Sequence, residues 1–149
     1  MNKLDLDYQN LLKDILKNGT VKKTRNGGTL SVFGRQIRHN MKDGFPLLTT
    51  KQMPFKTIAI ELLWFLRGDT NIKFLVDNGC NIWNGDAYQG YLKKCESENP
   101  LTQEEFITKV KSDEEFAKKW GELGPIYGSG WRNFEGLDQI KSLINDLFF

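Results

Sequence analysis

The chain has 149 residues, 39% of them hydrophobic and 12% aromatic, which is one domain's worth of sequence with a real core and excludes a disordered chain. A formal net charge of +2 is too small for nucleic acid or a membrane surface to be the main partner. With one histidine, His39, and two cysteines, Cys80 and Cys95, that lack CxxC spacing, the composition also argues against a metal site or a Ser-His-Asp triad.

Met1-Asn2-Lys3-Leu4-Asp5 holds no signal-peptide core, and no apolar run approaches the roughly 18 residues of a membrane span. The expected compartment is the reducing cytoplasm. Leu4, Tyr8, Leu11, Leu12 and Ile15 recur at helical spacing, with Gly19 as the C-cap. Val21-Lys22-Lys23-Thr24-Arg25 is a small basic spot, of a size that fits a phosphate-bearing small ligand. Residues 29–33 and 36–38 read as two short strands joined around Gly34, and Gly44-Phe45-Pro46 then breaks the chain.

Ile58 to Leu66 holds eight apolar residues and Glu61. A helix apolar on all sides is a buried helix. A carboxylate inside it must be paired, hydrogen-bonded or neutralised, and burial raises its pKa toward the range where it moves protons near neutral pH. The same glutamate serves equally as a structural partner for a backbone group or an arginine. Gly68 ends this helix, and Asn71 can cap a short one that runs to Asp77.

From Tyr88 to Lys119 the sequence turns charged and polar. Thr102-Gln103-Glu104-Glu105 and Ser112-Asp113-Glu114-Glu115 both read as capping boxes, followed by Phe106 with Val110 and Phe116 with Trp120 at helical spacing. The stretch reads as a helical insertion on the surface. Leu137, Ile140, Leu143, Ile144 and Leu147 form a last amphipathic helix, whose pattern is still running at Phe148-Phe149 and reads as an ending inside a domain.

Gly44-Phe45-Pro46-Leu47-Leu48-Thr49-Thr50-Lys51, Glu61-Leu62-Leu63-Trp64-Phe65-Leu66 and Gly68-Asp69-Thr70-Asn71 together resemble the thymidylate synthase family. The likeness continues through Asn81-Ile82-Trp83, Leu123-Gly124-Pro125-Ile126-Tyr127-Gly128, Trp131-Arg132 and Asp138-Gln139-Ile140, in unbroken order. It implies an α/β fold (of α+β type) with helices on a twisted mixed β-sheet, here incomplete. Residues 1–149 would be the N-terminal part of a single domain, with 88–119 similar to the helical insertion of longer members.

The implied reaction is reductive methylation of dUMP to dTMP, with 5,10-methylenetetrahydrofolate as co-substrate giving carbon and hydride, no metal, and a C2 homodimer as the complete enzyme. Arg25 is similar to the arginine that grips the dUMP phosphate, which a guanidinium does bidentately. Glu61 looks like the buried glutamate that relays protons, and Tyr127 like the tyrosine that helps take the C5 proton. Ile82 and Trp83 resemble the residues lining the folate, where an indole face can stack a flat pterin. Lys51 matches the lysine near the folate tail, and Thr49-Thr50 reads as support for its loop.

The sequence departs from that pattern at Thr24, Pro54, Asn84, Asp86 and Ser129-Gly130. The family's nucleophile lies in a Pro-Cys-His motif of its second half, which no part of this chain reproduces; neither Cys80 nor Cys95 matches it. The expectation is the first half of the enzyme, inactive alone. Two alternatives stand beside it: a dUMP or dCMP hydroxymethylase of the same fold, and a non-catalytic remnant that only binds a partner or nucleotide.

Overall fold

Asn2 opens the first helix by accepting the Asp5 backbone N–H at 2.7 Å, the bond an N-cap makes. α1 (Lys3–Asn18) then keeps Leu4, Tyr8, Leu11 and Ile15 half-buried while Leu12 faces outward, and the Gly19 N–H closes it on the Ile15 carbonyl at 2.9 Å. The computed structural model describes residues 2–24 and 27–148 and divides into two compact units, Met1–Met53 and Pro54–Phe149.

In the first unit α1 is followed by β1 (Thr20–Thr24) and β2 (Gly27–Ser31), an antiparallel pair in the register Thr20↔Ser31 to Thr24↔Gly27. This moves the expected strands. Residues 21–24 of the basic spot lie in β1, whereas residues 36–38 lie in no strand. Every residue of β1 is exposed, so no alternating apolar face announces it in the sequence. Gln36, Ile37 and Arg38 have no ladder partner among the described residues, and extended backbone becomes a strand only by pairing.

The second unit is built on α2 (Phe55–Leu66), α3 (Lys73–Asp77), α4 (Asn84–Lys94), α5 (Gln103–Ser112), α6 (Glu114–Trp120), α7 (Tyr127–Arg132) and α8 (Gln139–Phe148). Its smaller core cluster joins Ile60, Trp64, Leu75 and Cys80. The larger one joins Ile72, Val76, Ala87, Tyr91, Phe106, Val110 and Ala117. Helical structure is thus found across 88–119, and the stretch does more than cover a surface: Tyr91, Phe106, Val110 and Ala117 are core residues.

The second expected capping box is replaced by a single N-cap bond one residue later. Thr102 and Glu105 cap α5 reciprocally, but Ser112 is the last residue of α5 and its hydroxyl donates to the Thr108 carbonyl at 3.0 Å. Asp113 opens α6 instead, accepting the Phe116 N–H at 2.9 Å. A carboxylate accepts that bond more strongly than a hydroxyl does. Asn71, expected to cap α3, stands one residue before the N-cap Ile72: its Oδ1 accepts the Lys73 N–H at 3.0 Å while its Nδ2 donates to the Ala117 carbonyl at 2.8 Å.

Among the described residues, helices with one small antiparallel sheet make up an α/β arrangement. Among the described residues no helix is long and apolar enough to cross a membrane.

Candidate functional site

Glu61 lies in the middle of α2, yet its surroundings correct the expectation of a helix buried all round. Ile60 and Trp64 are buried, whereas Leu62 and Leu63 are about half exposed and Glu61 itself is half-buried. Apolar character on every side of α2 does not by itself supply neighbours to cover each side. One carboxylate oxygen is fixed: the Trp83 indole Nε1 donates to Glu61 Oε1 at 2.8 Å.

Trp83 precedes α4 and joins an aromatic group around the same face of α2. Its ring centroid lies 5.9 Å from Trp64, 6.4 Å from Phe65 and 6.3 Å from Tyr127. Phe65 in turn meets Tyr127 at 5.3 Å and Trp131 at 5.5 Å, both edge-on, the arrangement that ring quadrupoles favour. Glu61, Trp83 and Tyr127 are therefore brought together, with Ile82 beside Trp83 in the chain and half exposed. Tyr127 is 62% exposed, which leaves its phenol open to a ligand.

Phe65 and Trp131 were not singled out from sequence, although they complete the group. A signal for them exists. Glu61 and Phe65 are four apart on one helix, as are Tyr127 and Trp131, and side chains at that spacing share a face.

Two glycines let α7 reach α2. Gly68 adopts φ +73°, in the left-handed region, and its N–H closes the end of α2 on the Phe65 carbonyl at 2.9 Å. A Cβ on Gly128 would stand 3.0 Å from the carbonyl oxygens of both Phe65 and Asp69, so this close approach requires its absence. Arg132 then ties the far end of α7, donating from Nη1 to the Leu66 carbonyl at 2.8 Å and from Nη2 to Asp138 at 2.8 Å. An oriented carboxylate, an exposed phenol and flat apolar faces can together hold a planar heterocycle and move protons at its edge.

Lys51 is exposed and belongs to the first unit, two residues after Thr49. Asp5, buried near the start of α1, accepts both the hydroxyl and the backbone N–H of Thr49, the latter at 2.8 Å. Thr49 thus ties the segment that carries Lys51 to the start of α1. Arg25 lies outside the described residues.

The Thr49 hydroxyl, then its N–H, hold the Asp5 carboxyl below its ordinary value of 3.8. A carboxyl lowered by folding stabilises the folded chain above the unfolded value, and that contribution disappears as pH falls through the folded one. Hydrogen exchange at the Thr49 amide, corrected for intrinsic rate, is expected to show protection that fades only below pH 3.8. In Asp5→Ala that protection should be absent at neutral pH. Equal protection in both proteins would show that the clasp does not order this segment.

Neither cysteine stands as an open nucleophile beside Glu61. Cys80 is fully enclosed, its Sγ 4.0 Å from the Thr57 carbonyl. Cys95 packs against the larger cluster around Tyr91, whose hydroxyl holds the thiol below its usual range.

A family model described as thymidylate synthase matches residues 6–148. Curated thymidylate synthases from Phytoplasma mali, Mycoplasma mobile and Mesoplasma florum are 55%, 52% and 50% identical, each over 141 residues. In all three the match covers 94% of this chain and 49% of the relative, so the chain spans about half the length of the curated relatives it matches.

Proposed function

The chain belongs to the thymidylate synthase family, and we propose that it carries part of a site that methylates dUMP reductively to dTMP with 5,10-methylenetetrahydrofolate as co-substrate. The observation that carries this reading is the Glu61 carboxylate held by Trp83 at 2.8 Å, with the Tyr127 ring 6.3 Å from the same indole. In this reading Glu61 relays protons to the base and the folate, and Tyr127 helps take the C5 proton. Trp83 and Ile82 line the folate, Lys51 reaches its carboxylate tail, and Arg25 holds the dUMP phosphate. The complete enzyme is proposed to be a homodimer.

The covalent step requires a thiolate to add to C6 of the uracil, which makes C5 nucleophilic. Cys80 is enclosed and Cys95 packs in the other cluster, so the 149 residues by themselves are proposed not to turn over.

Fusing this chain to the second half of the Mycoplasma mobile relative tests the reading. The fusion should convert dUMP to dTMP, and the 149 residues alone should not. Hydroxymethyl-dUMP or hydroxymethyl-dCMP as the product would favour the hydroxymethylase instead. No product from a folded, dUMP-binding fusion would count against catalysis altogether. In the same fusion Arg25→Ala is expected to raise the dUMP Michaelis constant by about tenfold or more, the loss of a charge-assisted phosphate contact. A change in thermal stability alone would remove Arg25 from the phosphate site.

A further inference from the structure

We propose that Asn84 is a positioning residue: through Asn81 it holds the turn that aims the Trp83 indole at Glu61. The inference rests on reading Glu61 as the proton-relaying group, and it adds a residue that acts on Glu61 from outside the aromatic group.

Asn84 is the first residue of α4 and is 8% exposed. Its Nδ2 donates to Asn81 Oδ1 at 3.2 Å, and its backbone N–H donates to the Asn81 carbonyl at 3.2 Å. The two bonds close the turn 81–84 on itself, with Ile82 and Trp83 between them. Beyond these bonds the turn is held by the Trp83 ring, which packs against both core clusters. Ile82 is half exposed and gives it no packing anchor, and Trp83 contributes no side-chain cap to α4. The Trp83 carbonyl is held at 3.1 Å by the Ala87 N–H, and buried Cys80 before the turn donates its N–H to the Leu75 carbonyl at 2.8 Å, so both ends are fixed and the Asn81–Asn84 clasp sets the path between them.

The other end of the Asn84 amide sharpens the argument. Its Oδ1 is enclosed and has no hydrogen-bond partner among the described residues. Stranding a buried acceptor destabilises a protein, and an apolar side chain of similar volume would avoid that cost. The amide must therefore gain something by its donor end, and what its donor end meets is Asn81. A carboxylate has no donor to offer the Asn81 oxygen, so the clasp in this form requires Asn rather than Asp at 84. The consequence is geometric. A looser turn lets the indole swing, and Glu61 loses the one bond that fixes Oε1.

Indole proton exchange in the 149-residue chain, labelled with ¹⁵N-tryptophan, reads this directly. Trp83→Phe identifies the Trp83 signal among those of Trp64, Trp120 and Trp131. Trp64 is the internal control, because its Nε1 donates to the Asn71 carbonyl at 2.9 Å, and that bond does not involve the turn. Asn84→Ala and Asn81→Ala should each speed Trp83 exchange by about tenfold relative to Trp64, the weight of roughly one hydrogen bond. Both should also move its resonance toward the position found in Glu61→Ala. Asn81→Asp retains an acceptor for Asn84 and should restore protection.

Should Asn84→Ala unfold the chain, Trp64 loses protection as well, and Asn81, which is exposed, decides the matter. In Asn81→Ala, Trp83 exchange that stays unchanged, or that rises only in step with Trp64, overturns the proposal. Turnover plays no part in this readout, so failure of the proposed reaction and failure of the clasp remain distinguishable.

Discussion

Glu61→Gln in the fused enzyme is expected to lower dTMP turnover by about 10²–10⁴-fold, the usual loss when a positioned proton carrier is removed. The dUMP Michaelis constant should change by less than about threefold, because the interaction lost belongs to the chemical steps and not to ground-state binding. The substitution is informative because it is nearly silent in shape. An amide keeps the volume of the carboxylate and an oxygen that can still accept the Trp83 N–H, so α2 and the aromatic group around Phe65 remain in place. What disappears is the capacity to take and return a proton. Steady-state kinetics with dUMP and the folate co-substrate decide it, and an unaffected turnover number would leave Glu61 a structural partner of Trp83. An equal collapse of binding and turnover would place its effect in the fold.

Phe106→Ala carries the largest expected effect on stability. The ring is fully enclosed, with centroids 5.0 Å from Tyr91 and 5.7 Å from both Tyr88 and Phe116. Removing it leaves a cavity that these neighbours on α4 and α6 cannot all collapse into, and such a change costs about 3–5 kcal/mol. Against a total stability of about 5–15 kcal/mol, that brings the second unit near unfolding. Leu62→Ala, on a half-exposed side of α2, should cost no more than about 1 kcal/mol. Denaturant midpoints of the two variants make the comparison. Near-equal losses would mean that 88–119 is an appendage after all.

How much of the molecule was legible in the sequence varies with the range of the interactions concerned. α1, the end of α2 at Gly68 and the Thr102–Glu105 box were all legible, because each depends on residues within a few positions of one another. β1 was not, since its residues are exposed on both faces and carry no periodicity. Ser112 and Asp113 are adjacent residues that both suit a cap, and only the backbone geometry chooses Asp113. Of the candidate site, the apolar pattern points to Glu61 alone, whereas Tyr127, Ile82 and Trp83 come only from the family resemblance, and neither shows which of them meet.

The sequence by itself determined the family, the helical content, the charges and the absence of a matching nucleophile motif, all of which follow from residue identity and local spacing. Tertiary structure alone decided that Glu61 is only half-buried and that Trp83 reaches it across 22 positions of chain. It alone decided that Gly128 admits α7 to the face where Phe65 and Trp131 complete the group. The physical reason is that burial and hydrogen-bond pairing belong to surfaces, not to residues. A side chain's chemistry is written in the sequence, but the neighbour that satisfies it is chosen only when distant helices pack.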